Sequence, residues 1–265
     1  MSEKICIVQL ADQQYYEERS NCVKSVASYC KKHGYAWQGY VGSLDENTHI
    51  AYQKPLALLR KIDEYEYVGW IDMDVTIVDR DFDLYDYLLN YNQEVVACRD
   101  PSFFRNDMIN SGVLFFKSSE FCKNILAKWW GCRIEGTDKH WRHQGGGDGS
   151  ADQEFISRIL SANNITACNP HDLNITPRRY RIGDFAIHFM GHKPVDYDSF
   201  VAYAEKNIHD QELLNKYWMV YGFQSYDIID RFYEYGRENV LADREYSPED
   251  IYRCAKLLID IDVIH

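Results

Sequence analysis

Two aspartates at the end of an apolar run are the residues of this sequence best suited to chemistry. The run spans residues 68–71, and Asp72 and Asp74 follow it. In an open α/β sheet, ligands bind at the carboxyl ends of the strands. Carboxylate oxygens are the ligands that hard divalent cations prefer, and such a cation in turn binds phosphate. The pair therefore predicts a cation and phosphate site, although a strand that runs into an ordinary acidic turn would show the same pattern.

Alternating strands and helices must position these aspartates. The hydrophobic pattern predicts helices over residues 16–32, 51–62 and 152–160, and a further helix that is capped by Ser118 or Ser119 and runs to Trp130. The first of these helices stops at Gly34, a residue that commonly ends helices. Short apolar runs predict further strands over residues 4–10, 35–41, 94–98, 112–116 and 185–190. Such alternation indicates an α/β fold.

Composition excludes several other classes of protein. The 265 residues carry a net charge of −12, which argues against nucleic-acid binding and against a polybasic membrane anchor. The sequence shows neither a signal peptide nor an apolar run that could span a bilayer. The eight cysteines contain no CxxC pair, so we expect reduced, mostly buried thiols in a cytoplasmic protein.

The order of the motifs resembles the retaining GT-A glycosyltransferases over residues 4–194. Two of their families are similar. One contains glycogenin and the bacterial lipopolysaccharide galactosyltransferases, and the other contains the fungal α-1,2-galactosyl and mannosyltransferases and the plant xylosyltransferases. The resemblance implies a mixed sheet flanked by helices. It also implies transfer of a hexose or pentose from a UDP-linked nucleotide sugar to a saccharide acceptor with retention. We also expect a catalytic core over residues 1–198 and a helical extension over residues 199–265. The extension is expected to pack on the same domain.

The resemblance assigns a metal site with Mn²⁺ or Mg²⁺ as cofactor. Asp72 and Asp74 match the family's DXD motif, and His188 resembles the histidine of its HxxGxxKP motif. Gly191 and Lys193 then fall near the diphosphate, although this segment is one residue shorter than the motif. A lone histidine in an apolar strand is otherwise a core residue.

Other segments resemble the family's donor-binding residues. Ala11, Asp12 and Tyr15 follow the first strand and, with Asp72, correspond to the nucleotide site. An ordinary turn, with Asp12 at a helix start, would explain the first three equally well.

The remaining assignments concern the transferred sugar. Lys54, Asn110 and Ser111 correspond to residues near the donor sugar or diphosphate, and Asp152 and Gln153 to the catalytic pair. A lysine at a helix start is more often solvated, and a carboxylate there often only complements the helix dipole. The glycine-rich residues 133–150 are either a lid over the donor or an idle spacer.

Two rival functions use the same aspartates. The segment after residue 71 formally matches the nucleophile loop of haloacid-dehalogenase-type phosphohydrolases, in which Asp72 would attack phosphorus and Asp74 would serve as acid and base. That family places the loop at its first strand and needs a second acidic pair, where this chain has Asp184 and His188. The other rival is a non-catalytic nucleotide-sugar-binding module of the GT-A fold. A sugar-1-phosphate nucleotidylyltransferase would need a glycine- and arginine-rich first loop, which this chain lacks.

Overall fold

The computed structural model describes residues 4–100, 108–133, 151–176, 180–181 and 183–189. Within them the chain forms seven strands: β1 (Ile5–Ala11), β2 (Ala36–Val41), β3 (Tyr67–Ile71), β4 (Val75–Ile77), β5 (Val95–Arg99), β6 (Ile109–Lys117) and β7 (Ala186–His188). It also forms a 3-10 helix (Ile50–Gln53) and seven α-helices: α1 (Gln13–Glu18), α2 (Ser20–His33), α3 (Lys54–Leu59), α4 (Leu84–Tyr91), α5 (Glu120–Gly131), α6 (Ala151–Ala162) and α7 (Pro170–Leu173). In the described part, no helix has the length and apolar character needed to cross a membrane.

Five strands make one mixed sheet. Their order is β2-β1-β3-β6-β5. Strand β1 runs parallel to β2 and β3, whereas β6 runs antiparallel to both β3 and β5. Strands β4 and β7 pair antiparallel in a separate small sheet. The predicted mixed sheet with flanking helices is confirmed.

Helices cover both faces of the large sheet because alternate residues of its strands point to opposite sides. Cys6 and Val8 of β1 pack with α3, α5 and α6 in one buried apolar cluster. Ile5 and Ile7 of the same strand pack with α2, α4 and α7 in a second cluster. The sheet is thus buried on both faces, which leaves the ends of its strands as the place for a polar site.

Three predicted elements differ from the structure. Residues 185–190 were expected to form an inner strand, but β7 is shorter and pairs with β4 outside the large sheet. The single helix over 16–32 is broken at Arg19, which ends α1 and precedes α2. The helix over 51–62 begins as a 3-10 turn and becomes α-helical only over Lys54–Leu59.

Other local predictions are confirmed. Gly34 ends α2 in the left-handed conformation, with φ of 68°. Ser119 is the N-cap of α5, and its side chain accepts a hydrogen bond from the backbone of Cys122. Six of the seven described cysteines are buried, as expected for reduced thiols.

Some sequence predictions lie outside the described residues. These are the extension over 199–265, residues 134–150 of the glycine-rich loop, and the donor-site candidates Gly191 and Lys193.

Candidate active site

Two strand pairings bring the candidate metal ligands together. Asp72 follows the end of β3, and its backbone N–H donates to the carbonyl of Gly112 in β6 at 2.8 Å. Asp74 directly precedes β4. Because Val75 of β4 is paired with His188 of β7, the histidine lies next to the second aspartate. The small sheet therefore brings His188, which is distant in the chain, next to the two aspartates.

One ligand atom each from Asp72, Asp74 and His188 lies within 4.8 Å of the others, so the three residues could hold a metal ion. His188 Nε2 is 3.1 Å from Asp74 Oδ1 and 3.7 Å from Asp72 Oδ2. Although the first distance is short, the buried Asp74 Oδ1 has no hydrogen-bond partner among the described residues. A buried carboxylate oxygen without a partner is costly, and a coordinated cation would satisfy it.

The other nitrogen of His188 lies within a chain of amides. Nδ1 is 3.2 Å from Asn174 Oδ1, and Asn174 Nδ2 donates to Asn110 Oδ1 at 2.7 Å. Asn110 Oδ1 also accepts from the backbone N–H of Gly112 at 2.8 Å. Gly112 also makes room for the histidine, since a Cβ there would lie 2.1 Å from His188 Cε1.

Lys54 joins the metal candidates to the predicted catalytic pair. Its Nζ lies 3.0 Å from Asp72 Oδ1 and 2.9 Å from Asp152 Oδ2. Lys54 is buried at the start of α3, so the interpretation as a solvated lysine is wrong. This ammonium holds one carboxylate from β3 and one from α6 in place.

Ser111 and Gln153 extend this network. Ser111 Oγ donates to Asp152 Oδ2 at 3.0 Å, and the Ser111 backbone N–H donates to Gln153 Oε1 at 3.2 Å. Gln153 Nε2 in turn donates to Asp100 Oδ2 at 2.6 Å. The strand β6 and the start of α6 are thus joined by buried hydrogen bonds rather than by apolar contact alone.

The charges of the site shift several pKa values. Burial raises the pKa of Asp72, and the neighbouring Asp74 carboxylate adds to the increase, against the opposing Lys54 and His188. For Asp74, burial acts upward, but His188, Arg19 and the Tyr15 hydroxyl outweigh it and lower the pKa. Burial acts to lower the pKa of His188, but Asp74 and Asp72 overcome it and raise the pKa.

Neighbouring charges also shift the pKa of Lys54. Burial disfavours its charged form, yet the Asp152 and Asp72 carboxylates more than compensate and raise its pKa. Lys54 contacts two of the three site carboxylates, and Asp74 is not one of them. The site therefore holds an excess of negative charge around the position where the three ligand atoms converge.

The nucleotide candidates lie beside the second aspartate. Tyr15 Oη donates to Asp74 Oδ2 at 3.0 Å, and the Arg19 guanidinium lies 3.6 Å from the centre of the Tyr15 ring. One ring face is therefore covered by Arg19. Asp12 is exposed and caps α1 by accepting from the Tyr15 backbone N–H at 2.7 Å. Ala11 is the buried last residue of β1.

Sequence reasoning missed four residues that contact the predicted ones. Trp70 Nε1 donates to Asp72 Oδ1 at 2.7 Å, and Asn174, Asp100 and Arg19 make the contacts given above. Trp70 carried a detectable signal, since it lies two residues before Asp72 on the same strand. Asn174 carried none, because it follows a four-residue helix in a segment without a recognisable pattern.

Comparisons with known proteins agree with this fold. Residues 1–101 match the galactosyl transferase GMA12/MNN10 family, and this stretch includes the candidate metal ligands Asp72 and Asp74 as well as Lys54. The chain has the GT-A fold. The predicted resemblance and fold class are thereby confirmed.

One solved structure shares this fold at low sequence identity. A glycosyltransferase involved in glycosylation of the major capsid of PBCV-1 matches with a TM-score of 0.57 at 16% identity, over 76% of this chain and 99% of its own. Two further structures are similar at lower TM-scores. The galactosyltransferase LgtC, in complex with donor and acceptor sugar analogues, gives 0.48 at 13% identity, over 77% and 94%. Drosophila β1,4-galactosyltransferase 7, as a mutant with manganese, UDP-Gal and xylobiose, gives 0.42 at 12% identity, over 70% and 71%. No curated protein matches the chain in a sequence search.

Proposed function

We propose that this protein is a glycosyltransferase that uses a divalent cation to transfer a sugar from a UDP-sugar to a saccharide acceptor, with retention of anomeric configuration. The observation that carries the proposal is the convergence of Asp72, Asp74 and His188 at the carboxyl end of β3. Strand ends of this kind bind ligands in open α/β sheets. The match of the first 101 residues to a galactosyl transferase family supports a hexose as the transferred group.

The residues present fit a cation of the Mn²⁺ type. Two carboxylates and one imidazole form a mixed oxygen and nitrogen set, and carboxylate-rich sets suit Mn²⁺ and Mg²⁺. The unpartnered Asp74 Oδ1 supplies a ready ligand atom. Asp72, Asp74 and His188 would hold this cation, which would stabilise negative charge on the departing nucleoside diphosphate.

The chain's own residues position the donor around that point. Lys54 and Ser111 hold the Asp152 carboxylate, so Asp152 and Gln153 present a fixed polar surface beside the metal ligands. Tyr15 lies on the opposite side of Asp74, where its hydroxyl donates to Asp74 Oδ2 and Arg19 lies over its ring. We infer that the nucleotide binds over Ala11, Asp12 and Tyr15, with the sugar between Asn110, Ser111 and Asp152. This arrangement fixes the reacting carbon by contacts that exist before the donor binds.

A panel of nucleotide sugars tests the proposal. We expect the purified protein to hydrolyse or transfer one UDP-sugar when Mn²⁺ is present, and to lose this activity in EDTA. The anomeric proton coupling of the product, measured by NMR from a UDP-α-sugar, should show an α-linkage. A β-linkage would mean an inverting enzyme that uses a different carboxylate as the acceptor's base.

The same purified protein can be used to test the phosphohydrolase alternative. If Asp72 were a phosphatase nucleophile, the protein would cleave p-nitrophenyl phosphate with Mg²⁺. We expect no such turnover. Phosphatase activity without UDP binding would contradict the proposal.

A further inference from the structure

We propose that Asn174 is a positioning residue that fixes the tautomer and ring orientation of His188. This inference deepens the proposed metal-dependent function. Its consequence for metal binding rests on that function, whereas the hydrogen bonds of Asn174 do not. Asn174 is 1% exposed, and its side chain joins His188 to Asn110.

The direction of each hydrogen bond follows from one backbone group. The Gly112 N–H can only donate, so the atom of Asn110 that it contacts at 2.8 Å must be the oxygen. The Asn174 atom 2.7 Å from that oxygen must then be the amide nitrogen. Consequently the oxygen of Asn174 faces His188 Nδ1 at 3.2 Å and accepts its proton. The neutral imidazole carries one proton, so Nε2 is left with a lone pair.

That lone pair points towards the two aspartates. Nε2 lies 3.1 Å from Asp74 Oδ1 and 3.7 Å from Asp72 Oδ2, so a cation bound between the carboxylates would meet this lone pair. In metal sites, a ligating histidine usually donates its other ring N–H to such a partner. The asparagine therefore selects the tautomer that can bind a metal.

Backbone contacts hold Asn174 in register with His188. Ile175 forms a parallel bridge with Ile187, and the His188 N–H donates to the Ile175 carbonyl at 2.7 Å. Asn174 follows the end of α7, and its backbone N–H donates to the carbonyl of Pro170 at the start of that helix. Because backbone hydrogen bonds hold the chain on both sides of Asn174, its side-chain amide has a fixed position.

Two variants separate positioning from a merely structural role. Asn174→Asp keeps an oxygen acceptor for His188 Nδ1 but loses the donor to Asn110. Asn174→Leu has a similar volume and loses both. If Asn174 only supported the fold, both variants would leave the tautomer of His188 unchanged. Asn169→Ala is the matched control, since Asn169 caps the other end of α7 and contacts only a backbone N–H through its side-chain oxygen.

The first readout needs no metal. Long-range proton–nitrogen NMR of ¹⁵N-histidine-labelled protein, at a pH where the imidazoles are neutral, reports which ring nitrogen of His188 is protonated. The His188 signal is identified by its loss in His188→Gln. We expect the Nδ1–H form in the wild type, in Asn169→Ala and in Asn174→Asp, and the Nε2–H form in Asn174→Leu. An Nε2–H form in the wild type overturns the proposal, as does an unchanged tautomer in a folded Asn174→Leu.

The second readout is Mn²⁺ affinity, measured from the free Mn²⁺ signal in electron paramagnetic resonance. We expect Asn174→Leu to bind about 10- to 100-fold more weakly and Asn174→Asp to stay close to the wild type. An equal loss in both variants would overturn the positioning role. If the wild type shows the Nδ1–H form but binds no Mn²⁺, the proposed function fails while the assignment of Asn174 stands. If Asn174→Leu does not fold by near-ultraviolet circular dichroism, the wild-type tautomer and the Asn174→Asp affinity decide the question.

Discussion

The two halves of the site differ in how their polar atoms are satisfied. In the metal half (Asp72, Asp74 and His188), Asp74 Oδ1 is buried without a hydrogen-bond partner among the described residues. In the lysine half (Lys54, Ser111, Asp152 and Gln153), each side chain has a partner at 2.6–3.3 Å. A closed network of this kind holds groups in place, whereas an incomplete one has room for a ligand. This difference supports the proposal that the metal half receives a cation from outside, while the lysine half keeps Asp152 fixed beside it.

The largest effect should come from removing a ligand in the metal half. Asp74→Asn keeps the volume but replaces a carboxylate, and we expect sugar transfer to fall about 10³-fold or more. Steady-state kinetics with saturating Mn²⁺ measure this loss. Asp81→Asn is a suitable control because that exposed carboxylate pairs only with Lys32 on the surface. Transfer by Asp74→Asn at the wild-type rate would remove the metal half from the mechanism.

Removing the lysine of the lysine half should lower the free energy of unfolding. Lys54→Met leaves the buried Asp152 and the partly buried Asp72 without their shared cation, and we expect a loss of about 3–5 kcal/mol in the free energy of unfolding. Urea denaturation of the metal-free protein measures it. Lys32→Met, which breaks an exposed pair, should leave the free energy of unfolding nearly unchanged. Equal stabilities of the two variants would mean that the lysine half is not the buried network described above.

A glycine substitution should disturb the metal half alone. Gly112→Ala places a Cβ 2.1 Å from His188 Cε1, so the ring must move. We expect Mn²⁺ affinity to fall about 10-fold or more, as for other changes around metal-ligating histidines. Calorimetric Mn²⁺ titration measures the change. Gly131→Ala, where an added Cβ would meet nothing within 4 Å, should bind Mn²⁺ like the wild type.

A smaller effect should appear as a pH dependence of metal binding. The raised pKa of His188 means that a proton competes with the cation over a higher pH range than usual. Mn²⁺ affinity should therefore rise with pH, by up to about 10-fold per unit, as pH passes through the raised pKa. His188→Gln should bind weakly and lose this dependence. Calorimetric titrations at several pH values test the prediction.

The stability of the metal-free protein should change in the opposite direction. A histidine whose pKa is raised on folding stabilises the protein fully below its unfolded pKa of about 6.5. This contribution is lost as pH rises through the folded value. If metal affinity and metal-free stability rose together with pH, the assignment of His188 to the metal half would be wrong.

The sequence predicted the metal half better than the lysine half. Asp72 and Asp74 are identifiable because they end an apolar strand, and His188 because a motif accompanies it. Lys54 gave no indication of burial, since its contacts with Asp72 and Asp152 join residues 18 and 98 positions away. An apolar run such as 185–190 reports burial but does not identify the partner strand, so the pairing of β7 with β4 could not be predicted.

Local sequence patterns also failed to predict segments that are short and residues whose contacts are distant in the chain. Strand β4 has three residues, too few for a period to be recognised. Asn174 acts only through His188 and Asn110, which lie 14 and 64 positions away. Such residues have no local signature, because their role depends on contacts that exist only in the folded chain.

UDP affinity with and without Mn²⁺ tests the central claim most directly. Isothermal titration calorimetry on the wild type and on Asp74→Asn needs neither the correct sugar nor the correct acceptor. We expect the wild type to bind UDP in Mn²⁺ and to lose at least about 10-fold in affinity in EDTA, while Asp74→Asn binds weakly in both. Wild-type UDP affinity that is unchanged in EDTA, or is unchanged by the Asp74→Asn substitution in Mn²⁺, would contradict a metal-dependent nucleotide-sugar site.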